Sequence, residues 1–187
     1  VDVNALGADL LTLAGHKFYA PKGVGALYVR TGVALEPIQY GAGHEHGLRP
    51  GTENVPHIVA LGEAARLARA ALAHEAARMA ALRDRLHGRL AAGIPGLRLN
   101  GHPTERLPNT LNLSFPAVAG WQLLAAAPSV AASTGSACHA GEHAVSGVLA
   151  AMGLTREAAA GAVRLSLGRF TTEAEIDSAA AALIGAW

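Results

Sequence analysis

The sequence holds a single cysteine in 187 residues, carries no marked imbalance of charge, and has no apolar run near the roughly 18 to 20 residues that a membrane helix requires. A lone Cys138 excludes an internal disulfide and any cysteine-rich metal knuckle. The net charge of +1 supplies no field that would draw the chain to nucleic acid or to an anionic membrane. No secretory hydrophobic segment stands near Val1, so a reducing cytoplasm is the expected compartment. Neither an internal repeat nor a low-complexity linker interrupts the chain, and its alanine-rich stretches are high-propensity helix.

What is there is core material punctuated by glycine. Hydrophobic residues make up 51% and charged residues 16%, the composition of a soluble α/β protein of one or two domains. The apolar runs 10–13 and 25–29 bracket a turn built from Gly15, Pro21, Gly23 and Gly25, which reads as strand, loop, strand. Residues 2–9 read as a helical turn or loop, and 31–40 as a loop with a short strand. From Pro56 to about Ala92 the pattern is helical, with Leu72, Ala76, Met79, Leu82, Leu86 and Leu90 at three- and four-residue steps and Gly93 and Pro95 ending it. Its arginines, among them Arg66, Arg69, Arg78, Arg85 and Arg89, read as a solvated face.

Further along, Leu111, Leu113 and Phe115 alternate with polar residues, as in a half-buried strand. A short helix over 121–127, a strand over 130–133 and a helix over 142–152 follow, with Gly153 as the stop and Thr155 capping another short helix. Val163, Leu165 and Leu167 then alternate with Arg164 and Ser166, which puts Arg164 on the polar face of a strand. Thr172 and Glu175 stand at capping-box spacing before a last helix that buries Ile176, Ala180, Leu183 and Trp187.

Four places carry chemistry. Lys17 stands beside His16 in the first loop; a lysine amine attacks a carbonyl only when neutral, and burial or the nearby His16 and Lys22 would push it that way. The competing reading is a solvated lysine at a strand end. In the loop 41–54, Gly41, Gly43, Gly47 and Gly51 let backbone amides approach an anion, and the Thr52 hydroxyl can donate to a phosphate oxygen. An equally good reading makes Thr52 the cap of the following helix, while His44 and His46, lacking a third ligand, are solvated rather than a metal pair. Cys138 follows a run of small residues and is flanked by Ser136, His139, Glu142 and His143, polar neighbours that favour a nucleophile over a core thiol. A metal at Cys138 with His139 or His143 lacks its remaining ligands. The guanidinium of Arg164 can clamp a carboxylate through two parallel hydrogen bonds; Arg169 is the runner-up, with a surface ion pair as its better reading.

The blocks AGHKFYAPKGVGALYVR (14–30), GAGHEHGLRPGTENV (41–55), STGSACHAG (133–141) and VRLSLGRFTTEAEID (163–177) resemble, in order and spacing, the cysteine desulfurases of the iron-sulfur-cluster type. Those are pyridoxal 5'-phosphate enzymes of the class V aminotransferase family. The resemblance implies an α/β chain that is the C-terminal part of a PLP-dependent transferase of fold type I: the end of the large domain (1–62), then a linking helix and small C-terminal domain (63–187). It implies that Lys17 holds the cofactor covalently, that His16 lies beside the cofactor phosphate, and that Thr52 reaches the phosphate of a neighbouring subunit, hence a homodimer. Arg164 would orient the carboxylate of the substrate L-cysteine, and Cys138 would take its sulfur as a persulfide, releasing alanine. The sulfur acceptor would be an iron-sulfur scaffold or a tRNA-thiolating protein.

The opening VDVNALGADLL reads as mid-domain, so the family's cofactor-ring partners are expected in a preceding part, and the chain alone is expected to bind the cofactor poorly. Ala14 stands where many members of that family carry a phosphate-binding serine, and Trp121 where an acidic residue is usual. Two other readings stay open: another class V enzyme, such as a selenocysteine lyase or transaminase, and an inactive module for dimerisation or scaffold binding.

Overall fold

A computed structural model describes residues 1–135 and 146–187, in two units, Val1–Leu72 and Ala73–Trp187. In the first unit, strands β1 (Leu10–Ala14) and β2 (Gly25–Val29) pair antiparallel, from Leu10 opposite Val29 to Ala14 opposite Gly25. Gly25 is required there, because a Cβ would run into the Leu13 carbonyl. Arg30 ties the preceding turn to the hairpin by donating to the Ala8 carbonyl at 2.9 Å and pairing with Asp9 at 3.1 Å. The strand expected within 31–40 does not form. Instead the Val33 N–H closes a turn on the Arg30 carbonyl around Gly32, whose φ is +91°, and Pro37 has no N–H to give a ladder.

Helix α1 (Val55–Gly93) begins after Asn54, whose side-chain oxygen accepts the His57 backbone N–H at 3.4 Å. Asn54 is therefore the cap, and of the two readings of Thr52 the one that makes it the cap of this helix is not met. The unit boundary falls within α1. The apolar stripe expected along it buries Leu82, Leu86 and Leu90, but Leu72, in the first unit, is 63% exposed.

The second unit is built on a three-stranded antiparallel sheet ordered β3 (Arg98–Leu99), β4 (Thr110–Ser114), β5 (Ala162–Ser166). Its inward positions Leu111, Leu113, Val163 and Leu165 meet Leu82, Leu86, Leu90 and Ile94, Leu123 of α2 (Gly120–Ala126), and Ile176, Ala180 and Leu183 of α5 (Glu173–Ala186). Burying each leucine contributes about 1.5–3 kcal/mol, so this sheet is held by its interior. Two glycines permit the closest approaches: a Cβ on Gly161 would strike the Phe115 carbonyl, and one on Gly120 would stand 2.6 Å from the Ala162 carbonyl.

Helices α3 (Gly147–Ala151) and α4 (Arg156–Ala160) precede β5. The expected Thr155 cap is present, accepting from the Ala158 N–H at 3.3 Å, and Thr172 and Glu175 form the expected capping box. Residues 142–145 of the helix expected over 142–152 lie outside the described residues. The strand expected over 130–133 reduces to a single pair, Ser133 with Arg164, because Val130 is held in a turn on the Ala127 carbonyl. Trp187 is 43% exposed, its indole N–H donating to the Pro116 carbonyl at 2.9 Å. Nor is the arginine face of α1 uniformly solvated: Arg78 donates to the carbonyls of Thr171 (2.7 Å) and Arg169 (2.8 Å), pinning the loop before α5.

Candidate active site

His16 and Lys17 sit on a 3-10 turn, Gly15–Phe18, that begins where β1 ends. Gly15 makes this turn possible: it is buried, its N–H donates to the Val24 carbonyl at 3.0 Å, and a Cβ there would lie 2.8 Å from that oxygen. Tyr19 follows in the left-handed region at φ 72°, and the Ala20 N–H returns to the Gly15 carbonyl at 3.1 Å. The turn is thus closed by backbone bonds on both sides and presents the imidazole and the amine outward; both residues are exposed, so the burial expected around Lys17 is not supplied by the described residues.

The loop carrying Thr52 is shaped by consecutive left-handed residues. Glu45, His46 and Gly47 have φ of 49°, 58° and 81°, and Gly51 has φ of 107°. For a residue other than glycine such a conformation costs on the order of 1–3 kcal/mol, so two of them in succession mark a loop whose shape is imposed. His44 approaches Glu53 at 4.0 Å through Nε2, while its Nδ1 is buried with no hydrogen-bond partner among the described residues. Thr52 is exposed, and Asn54 rather than Thr52 accepts the His57 N–H at the start of α1.

In the second unit, Arg164 lies on β5 opposite Asn112 of β4, and its backbone exchanges two hydrogen bonds with Ser133, at 2.7 and 3.2 Å. Its main chain is flanked on both edges and its side chain is exposed. Cys138 lies outside the described residues. Of the expected residues, His16 and Lys17 stand on the turn that follows β1 and Thr52 in the loop before α1, all in the first unit, while Arg164 stands in the second on a strand flanked on both sides.

Sequence reasoning missed three polar residues. Asn54 followed by a helical pattern was a legible cap signal. Arg83 is buried, donating to Asp84 at 2.8 Å and to the Leu107 carbonyl at 2.9 Å, and nothing in its local sequence marks it apart from the exposed arginines. Arg106 donates to the Thr110 carbonyl at 3.2 Å, and burial together with the Arg83 charge holds its guanidinium below the ordinary arginine range. These two cations brace the turn before β4. Among the described residues no three His, Asp or Glu side chains group to hold a metal ion.

Residues 1–178 match the family described as Aminotransferase class-V. Over 179 residues the chain is 50% identical to a cysteine desulfurase of Trichormus variabilis, covering 95% of this chain and 45% of that relative. Among solved structures it is similar to a NifS-like protein, with a TM-score of 0.87 and 36% identity, over 98% of this chain and 47% of that one. It is also similar to SspA in complex with cysteine, with a TM-score of 0.66 and 31% identity, over 92% of this chain and 47% of that one. The chain thus spans less than half the length of these relatives.

Proposed function

The chain belongs to the aminotransferase class-V family, and on that premise we propose that it carries the chemistry of a pyridoxal-phosphate cysteine desulfurase acting on L-cysteine. The observation that carries this reading is the 50% identity to a cysteine desulfurase along 95% of the chain. In this reading residues 1–62 end a cofactor domain, and 63–187 form the linking helix and small domain. Supporting it, the residues present suit a phosphorylated aldehyde: an outward amine at Lys17, an adjacent imidazole at His16, and a glycine-shaped loop whose Thr52 hydroxyl is not used as a helix cap.

When bound, pyridoxal phosphate supplies an electron sink for bonds at the substrate Cα. Lys17 would hold it through its amine, with His16 beside it and Thr52 donating to a phosphate oxygen, in a homodimer where the threonine serves the partner's site. Arg164 receives the substrate carboxylate on a strand whose backbone cannot shift without breaking its pair with Ser133. The Cys138 thiolate attacks the substrate sulfur; a sulfur–sulfur bond forms as the carbon–sulfur bond breaks. The electron pair stays with the substrate carbon, which takes a proton to become alanine, and the persulfide passes to an iron-sulfur scaffold or a tRNA-thiolating protein. A cytoplasmic setting fits this thiol chemistry; among the described residues no helix is long and apolar enough to cross a membrane.

Borohydride reduction of the cofactor-loaded protein followed by peptide mass mapping tests the reading directly. The pyridoxyl label is expected on Lys17. A label on Lys22, or on neither lysine, overturns it.

A further inference from the structure

We propose that Ser133 is a positioning residue, its backbone fixing Arg164 and its hydroxyl fixing the start of the segment that carries Cys138. The part of this inference that concerns turnover rests on the desulfurase reading; the geometry does not. The Arg164 N–H donates to the Ser133 carbonyl at 2.7 Å, and the Ser133 N–H donates to the Arg164 carbonyl at 3.2 Å. This antiparallel pair stands alone against β5. Two residues on, the Ser133 hydroxyl donates to the Gly135 carbonyl at 2.7 Å and accepts the Gly135 N–H at 3.2 Å. One side chain thus closes a local turn of the kind serine hydroxyls form with backbone two residues away.

Among the described residues, a Cβ built at Gly135 meets nothing within 4 Å, so none of them packs there in place of the hydroxyl. Within the turn, Thr134 lies close to Gly120: its Cγ2 would stand 3.1 Å from a Cβ built there. Cys138 follows Ser133 by five residues, so a fully extended chain places its Cα at most about 18 Å from that of Ser133. The chain thus enters the stretch before Cys138 from a turn held by the Ser133 hydroxyl, and a misplacement of about 1 Å at a reacting atom costs up to roughly a hundredfold in rate.

The two halves of the anchor separate by mutation. Ser133→Ala keeps the backbone pair with Arg164 and removes both hydroxyl bonds to Gly135; Ser133→Thr keeps a hydroxyl. In the cofactor-loaded enzyme, Ser133→Ala is expected to lower kcat for sulfur release about tenfold while KM for L-cysteine, which reads Arg164, stays within about twofold. Ser133→Thr is expected to restore kcat. Two readouts do not depend on turnover. Hydrogen exchange at the Gly135 amide is expected to quicken about tenfold in Ser133→Ala, the factor one hydrogen bond carries, with the Arg164 amide unchanged. Alkylation of Cys138 by iodoacetamide, unambiguous because it is the chain's single thiol, is expected to change severalfold in Ser133→Ala and to return in Ser133→Thr. Unchanged exchange and alkylation in Ser133→Ala, or a failure of threonine to restore them, overturns the anchor, as does a rise in KM at constant kcat. If exchange and alkylation behave as expected while the cofactor-loaded wild-type enzyme releases no sulfur from L-cysteine, the desulfurase reading falls and the anchor stands.

Discussion

The hairpin of the first unit and the sheet of the second hold the candidate side chains by different physics. Along the hairpin, Leu13 is 44% exposed, and Leu10 and Leu27 are exposed as well; what fixes the Lys17 turn is backbone hydrogen bonding around a glycine that tolerates no side chain. In the sheet, Leu113 is 0% exposed and sits one residue from Asn112, the partner of Arg164 across β4 and β5. There the apolar interior fixes the strand, and the strand fixes the backbone of Arg164. A residue placed by backbone geometry is insensitive to loss of apolar side chains, whereas one placed by a core shares the stability of that core.

The sharpest way to break this contrast is to delete the same side chain in each region. Leu113→Ala is expected to destabilise the second unit by about 2–5 kcal/mol, the sum of lost transfer energy and a residual cavity. Leu13→Ala is expected to stay within about 0.5 kcal/mol, as for an exposed position. Urea titration of both variants measures the difference, and equal losses would show that the hairpin is held by its apolar side chains after all. The next effect in size concerns the start of α1. Asn54→Ala is expected to cost about 1 kcal/mol by removing the cap on the His57 N–H. Thr52→Ala, two residues earlier, is expected to leave stability unchanged and to weaken cofactor retention instead. If the two variants lose stability alike, the separation of cap from ligand group fails.

Much of the second unit was legible because its signals are local. Alternation at Leu111, Leu113 and Phe115 and at Val163, Leu165 and Leu167 marks which face is buried, and the spacing of Thr172 and Glu175 marks where α5 begins. The misses have a common cause: a strand needs a partner, and local sequence does not encode one. Residues 31–40 and 130–133 have strand-like composition, but the first turns at Gly32 and the second meets β5 at one residue. In the same way Leu72 continues the stripe of Leu82 and Leu86 yet stays exposed, and Arg78 looks like its neighbours until the loop at 168–171, some ninety residues on, supplies its acceptors. Of the candidate site, the Lys17 turn, the Thr52 loop and the Arg164 strand were readable from glycine placement and alternation. The Ser133 pairing was not, because its partner lies thirty-one residues away.

The smallest expected effect separates two kinds of ion pair. Asp177 of α5 pairs with Arg85 at 2.7 Å and with Arg89 at 3.1 Å on α1, so it joins two elements of the second unit. Glu63 pairs with Arg66 at 2.7 Å within one stretch of α1 in the first. Hydrogen bonding to Arg85, followed by the charges of Arg85 and Arg89, holds the Asp177 carboxyl below the ordinary aspartate range, and the Arg66 hydrogen bond does the same to Glu63. A carboxyl depressed in the folded state contributes stability that is complete above its unfolded value and is lost as pH falls through the folded one. The gap in unfolding midpoint between wild type and Asp177→Asn should therefore be constant from neutral pH down to the ordinary aspartate range and close below it. Glu63→Gln should show a smaller gap, because a pair inside a single helix ties no second element to it. Thermal unfolding across acid pH at low salt checks both; a gap for Asp177→Asn that persists at the acid end would mean that its carboxylate charge is not what links α5 to α1.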